Sequence, residues 1–250
     1  MTSKYELRWY RDCLHQSNLT PFTVSYRESD LWIAVTPATY SEDMKEACFL
    51  KTRELYLTLE DYIKQNPLFF HALQPCAIGM DAPSLVKVMA NAATLAAVGP
   101  MAAVAGAVAQ EIGIFLKNKF AVSDVIVENG GDIYLATTIP RRVALSAGTS
   151  PLSNKLALEI PVALSPIGIC TSSGTVGHSL SFGKADAVTI LAKDVALADT
   201  YATAVGNMVK TAADIDKALA YAATQKDILG LVIIMGDRIG FQGNISLVKA

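Results

Sequence analysis

The sequence predicts an α+β fold, a mainly antiparallel sheet with packed helices, and three observations carry that prediction. The chain has 250 residues of which 52% are apolar and 18% charged, enough to bury a sizeable core and far from a disordered composition. Its apolar spacing is helical from about residue 41 to 117 and turns strand-like at residue 124. Successive strand-like runs are separated by hairpin-length turns, with the helices gathered in blocks, which disagrees with a repeating βαβ pattern. No repeat, low-complexity tract or linker interrupts the chain, so residues 1–250 read as a single domain.

Each element follows in order. MTSKYELRWYRD at the start is charged and aromatic without an apolar core, so no secretory signal is expected and a reduced, cytoplasmic protein is the default. Residues 20–35 read as a β-hairpin turning at Glu28–Ser29. Over 41–66, Met44, Cys48, Leu55, Leu59, Tyr62 and Ile63 recur at helical spacing until Pro67 stops the helix. Pro83 opens a second helix toward Gly99, and Pro100 opens a third that reaches about Lys117. The uncharged run 92–109 is long enough to suggest a membrane span, but it is mostly alanine and broken by Gly99–Pro100. Gly99 as the residue past one helix and Pro100 as the first of the next make two buried helices, with no membrane association, the expectation.

Residues 124–136, DVIVENGGDIYLA, are two β-rich runs around Asn129–Gly130–Gly131, a hairpin signal. VALSA (143–147), LALEIPVAL (156–164), AVTILA (187–192) and LVIIM (231–235) are expected to continue the sheet, with helices at 194–209 and 214–225. Asp194 is placed to cap the first of these helices.

Charge and cysteine usage exclude several classes. A net charge of −2 with scattered basic residues gives no reason to bind nucleic acid. Cys13, Cys48, Cys76 and Cys170 lie far apart without a C-x-x-C, so neither zinc nor a disulfide framework is expected. The apolar excess suits a homodimer.

Four stretches could carry chemistry. TSSGTVGHSLSFG (171–183) gathers hydroxyls, glycines and His178 in one loop. Such a loop is either turn chemistry or a cradle of backbone N–H groups and hydroxyls for an anion. His178 serves as a hydrogen-bonding residue or as a general base. In the 194–209 helix, Asp199 and Thr203 stand at i and i+4 on one face among small residues. They suit a hard cation such as Mg²⁺ with water and phosphate, or else are an exposed Asp and a Thr bonded back to its own helix. The ENGGD turn is explained by hairpin geometry alone or by close contact with a ligand or helix. GPMAAVAG (99–106) is a small-residue helix start that suits either phosphate or close helix packing.

The order of these stretches resembles the ApbE superfamily, the FAD:protein FMN transferases, and within it the uncharacterised ApbE-like branch. The resemblance rests on RWYR (8–11), ESDLWI (28–33), PMAAVAG (100–106), VENGGDIYL (127–135), SSGTVGHSLSFGKAD (172–186) and ALADTYATAVGN (196–207), which span nearly the whole chain. It implies that Asp199 and Thr203 hold Mg²⁺, that Asn129, Gly130, Gly131 and Thr171, Ser172, Ser173, Gly174 line the site of a phosphate-bearing ligand, FAD, and that a target protein receives FMN. His178 is the catalytic candidate. Two positions depart from the transferases: Ala105 stands where they usually carry a lysine, and His178 is followed by Ser179, Leu180, Ser181, Phe182 and Gly183 rather than an isoleucine-rich segment ending in Asp-Pro. The resemblance also implies an alternative, a non-transferase ligand-binding or accessory protein connected with sulfide assimilation into homocysteine. Cys170, just before Thr171, is then either a reactive thiol or core packing. If Asp199 and Thr203 bind Mg²⁺, they are expected to face a cavity shared with the 171–183 loop and to converge with backbone carbonyls near Ala103–Ala105.

Overall fold

In a computed structural model, described for residues 18–175 and 182–250, the chain opens with the expected hairpin: β1 (Thr20–Tyr26) and β2 (Ser29–Val35). Tyr26 pairs with Ser29, so the turn is Arg27–Glu28, one residue earlier than expected, with Arg27 at φ 55°. Four helices follow: α1 (Asp43–Gln65), α2 (Pro67–His71), α3 (Ser84–Ala96) and α4 (Val104–Phe120), the last preceded by the 3-10 turn Pro100–Ala103. The chain then forms β3 (Val125–Asn129), β4 (Asp132–Ala136), β5 (Arg141–Ala144), β6 (Leu156–Ile160), β7 (Ile167–Ser172) and β8 (Ala187–Ala192). It ends with α5 (Val195–Met208), α6 (Ile215–Ala223), β9 (Ile228–Met235), β10 (Arg238–Gly243) and β11 (Ser246–Lys249).

Eight strands form one sheet in the order β1-β2-β3-β4-β7-β8-β9-β10, every neighbouring pair antiparallel. The α+β, antiparallel expectation is met. Side chains alternate across this sheet with the two-residue period of a strand. Ile33, Val127, Tyr134, Cys170, Val188 and Ile190 face the helices and share a core with Met89, Ile112 and Val205. Trp32, Ile126, Leu135, Ile169 and Leu191 face the other way, onto Val143, Leu158 and Ile160.

Those last residues belong to a separate three-stranded sheet, β11-β6-β5. This corrects the expectation that 143–147 and 156–164 continue the main sheet. The chain leaves β4 through a loop holding Pro140, which has no N–H for a ladder, and crosses to the far face. The loop is fixed by buried Asp124, which accepts from Thr138 N and Oγ1 (both 2.8 Å), Thr137 Oγ1 (2.9 Å) and Arg141 Nη2 (3.3 Å). Burial pushes the Asp124 pKa up, but these donors more than offset it and hold the carboxyl at about 2.

The joint between α3 and α4 differs from expectation in its chemistry. Ala97, not Gly99, takes the left-handed conformation after α3 (φ 55°). Gly99 has an ordinary φ and is needed for space, since a Cβ there would lie 1.8 Å from the Ala72 carbonyl oxygen. By length and composition Pro100–Phe120 is apolar enough to cross a membrane, and half of its most apolar window is buried within the fold.

Candidate functional site

The site is built where β3, β4 and β7 lie side by side beneath the starts of α4 and α5. Strand register assembles it. Asn129 pairs with Asp132 across the β3–β4 hairpin, and Asp132 pairs with Cys170 across β4–β7. The three side chains therefore stand abreast on the helix-facing side. The turn between them is Gly130–Gly131, with φ of 69° and 103°, which only glycine adopts without strain as a pair. Glu128 accepts the Gly131 N–H at 2.8 Å and closes the turn from the opposite face.

Two helices land on this row. Asn129 Nδ2 donates to the Ala105 carbonyl at 3.2 Å, tying the hairpin to the first turn of α4. Gly106, next in that turn, donates its N–H to Asp199 Oδ2 at 2.9 Å. The contact is close because α5 presents small groups: a Cβ on Gly106 would lie 2.6 Å from the Val195 carbonyl oxygen and 2.9 Å from Asp199 Cβ. Asp194 caps α5 as expected, accepting from Leu197 N at 2.8 Å. Gln110 Oε1 accepts the Val195 N–H at 2.7 Å and locks α4 and α5 together. The Cys170 thiol donates to the Val195 carbonyl at 3.4 Å, which sets the start of α5 over β7.

The start of α4 thus already holds an anion. The Asp199 carboxylate occupies the position at which a phosphate would meet the Gly106 N–H, the amide that directly follows Ala103–Ala105. Asp199 is half-buried, and burial pushes its pKa up to about 7, against the lowering effect of the Gly106 N–H. No hydrogen bond reaches Asp199 Oδ1 from the described residues. Thr203 is one turn later on the same face, half-buried, and its hydroxyl has no hydrogen bond among the described residues, whereas Thr200 bonds back to Leu197 O at 3.0 Å. An exposed Asp beside a Thr bonded into its own helix is therefore not what the structure has.

The hydroxyl–glycine stretch divides. Thr171 and Ser172 are the last residues of β7, paired with Thr189 and Val188, and not loop. Thr171 Oγ1 bonds Thr189 Oγ1 at 2.9 Å on the face away from the helices, so its side chain is turned from Asp199. Ser172 faces α5, its Oγ 3.4 Å from where a Cβ on Gly206 would stand. Ser173 Oγ accepts from Thr175 N at 3.1 Å, and Gly174 N donates to Ala185 O at 2.9 Å, closing the stem of the loop. The returning strand of that stem sits on the end of α5, where Phe182 N donates to Asn207 Oδ1 at 2.8 Å and Lys184 N to Val209 O at 2.8 Å. Asp199, Thr203 and Gly206 are spaced i, i+4, i+7, so one face of α5 runs from the Asp199 carboxylate to this stem. His178 lies outside the described residues, as do RWYR (8–11), Cys13 and His15.

Asp132 was passed over in the sequence as the last residue of a turn. It is 6% exposed, and its Oδ1 is buried without a hydrogen bond. Burial and the nearby Asp199 carboxylate push its pKa up, while the Cys170 thiol and the Thr171 N–H act in the other direction. The alternation of β4, with Tyr134 and Ala136 facing the helices, was the signal that would have placed it there. Cys170 is fully buried, and burial raises its thiol pKa, which suits the packing reading better than a reactive thiol.

Comparison with known proteins agrees with this architecture. The family model described as AbpE bacteria matches residues 11–237. A UPF0280 protein of Methanocaldococcus jannaschii is 39% identical over 229 residues, 89% of this chain and 91% of the relative. One from Methanococcus aeolicus is 43% identical over 193 residues, 75% of this chain and 77% of the relative. Among solved structures, the apo form of the flavinyl transferase ApbE of Pseudomonas stutzeri is similar at a TM-score of 0.61 and 16% identity, over 90% of this chain and 94% of that one. A mutant of the flavin transferase ApbE from Vibrio cholerae is similar at 0.57 and 14%, over 90% and 96%. At such identities the likeness is one of fold.

Proposed function

This chain belongs to the family described as AbpE bacteria, and from that premise we propose that it is a Mg²⁺-dependent, FAD-handling protein resembling the FMN transferases. One observation carries the reading: four motifs far apart in sequence converge on one end of the helix-facing side of the sheet. They are the α4 start, the Asn129–Asp132 hairpin, Ser172 at the end of β7, and Asp199–Thr203 on α5.

The residues present suit a hard divalent cation. Asp199 and Thr203 offer oxygen donors, with Asp199 Oδ1 and the Thr203 hydroxyl uncommitted to other described residues, and an unsatisfied carboxylate oxygen of Asp132 lies buried nearby. Such a cation, when bound, supplies Lewis acidity at a phosphate oxygen and neutralises its charge. The protein's own groups do the positioning. Gly106 N–H orients the Asp199 carboxylate, Asn129 fixes the α4 turn through Ala105, and the Gly130–Gly131 turn leaves bare backbone beside the seat. Ala105 brings no cation to the start of α4. Incubation with FAD, Mg²⁺ and candidate target proteins should yield AMP and a flavinylated product. Asp199→Asn should abolish both.

The absence of a lysine at Ala105 favours a second reading, a protein that binds the phosphate-bearing ligand without transferring FMN. In that case FAD is retained on the protein and no AMP appears.

A further inference from the structure

We propose that Asp132 is a second carboxylate ligand of the divalent-cation seat, facing Asp199 across the Cys170–Val195 contact; this rests on the cation reading given above. The geometry comes from three elements. Asp132 and Cys170 are direct cross-strand partners on the helix-facing side of the sheet. The Cys170 thiol reaches the Val195 carbonyl at 3.4 Å, and Val195 is one helical turn before Asp199 on α5. Asp132 also stands beside Asn129, which bonds the Ala105 carbonyl next to the Gly106 N–H that holds Asp199, so the two carboxylates are held from opposite sides of one junction.

A buried carboxylate oxygen without a hydrogen bond is costly, and native proteins rarely keep one without a use. Asp132 Oδ1 is such an atom. The cross-strand neighbours of Asp132 on the helix-facing side are Asn129 and Cys170. The third carboxylate, Glu128, is committed to Gly131 N–H on the other face of the sheet. Among the described residues no three His, Cys, Asp or Glu side chains form a metal-holding group. The seat thus offers two carboxylates, the Thr203 hydroxyl and open positions for water and phosphate. That donor set matches Mg²⁺ and Mn²⁺, which bind through one or two carboxylates and keep several positions for solvent and substrate. It does not match a closed zinc site.

The test uses Mn²⁺ alone, with the free ion counted by electron paramagnetic resonance. Asp132→Asn should weaken Mn²⁺ binding by roughly tenfold or more, since even carboxylates one shell removed from a metal matter on that scale. Asp199→Asn should weaken it at least as much, and Glu159→Gln, on the separate three-stranded sheet, should leave it unchanged. Thermal unfolding without metal should show Asp132→Asn folded at the wild-type midpoint or above it. Should that variant not fold, the wild-type protein gives a second readout: the ¹³Cγ resonance of Asp132 should move on titration with Mg²⁺. Wild-type Mn²⁺ affinity in Asp132→Asn, with loss in Asp199→Asn, overturns the role of Asp132 and leaves the Asp199 seat standing. Absence of Mn²⁺ binding by the wild-type protein overturns both.

Discussion

Gly106→Ala probes the α4–α5 junction most sharply. The added methyl would stand 2.6 Å from the Val195 carbonyl oxygen and 2.9 Å from Asp199 Cβ, both inside the 3.0 Å that real Cβ atoms respect. Neither neighbour is a flexible tip: the Val195 carbonyl is α5 backbone already engaged by Cys170. Relief therefore requires α5 to lift from α4. Overpacking of this kind costs about 1–3 kcal/mol. Loss of the Gly106 N–H bond to a carboxylate adds about 1.5–3 kcal/mol. The better helix propensity of alanine returns about 1 kcal/mol. The net loss is then about 1.5–5 kcal/mol, which for a chain of this size lowers the melting temperature by roughly 3–20 °C. Urea and thermal unfolding followed by circular dichroism measure it. A variant as stable as wild type, or more stable by the amount an open helix gains from Gly→Ala, would refute the close junction.

Three further outcomes follow from individual groups. Asp124 has its pKa depressed from the ordinary 3.8 to about 2. Its contribution is therefore present above about pH 4 and lost as pH falls through about 2, a change on the order of 2 kcal/mol. Urea unfolding between pH 2 and 6 should show that acid-side slope in wild type and a flatter one in Asp124→Asn; identical slopes contradict the network. Asp199→Asn in metal-free protein should change stability by less than about 1 kcal/mol, because the amide keeps an acceptor for Gly106 N–H and removes a half-buried charge; a loss above about 2 kcal/mol would mean the carboxylate is structural. Iodoacetamide followed by peptide mass spectrometry should label half-buried Cys76 in the native protein and spare buried Cys48 and Cys170 until denaturant is added. Equal labelling of Cys170 and Cys76 would contradict its burial.

Much of the fold was legible because its elements carry strong local signals. The Gly130–Gly131 hairpin, the Pro-delimited helices and the mostly apolar 187–192 strand were each read near their observed bounds. Other features were not legible for physical reasons. β10 carries Gly240 and Gly243, β11 is only four residues long, and α2 is five. Thr171 and Ser172 were read as loop because they look like turn residues, yet they pair with β8 on a ladder that only the tertiary fold supplies. The assignment of 143–147 and 156–164 to the main sheet failed because strand pattern identifies a strand, not its sheet. Of the site, the Asp199–Thr203 spacing was visible on the helix itself. The burial of Asp132 and the seating of Asp199 on Gly106 depend on register and helix approach, which no local window contains.

The central claim is that a divalent cation held at Asp199 makes this protein a binder of FAD. Isothermal titration with FAD, in Mg²⁺ and again in EDTA, on wild type and on Asp199→Asn, tests it most directly. Saturable binding by wild type in Mg²⁺, lost with EDTA and lost in Asp199→Asn, is the predicted result. No FAD binding under any condition, or equal binding by both proteins whether or not Mg²⁺ is present, would contradict it.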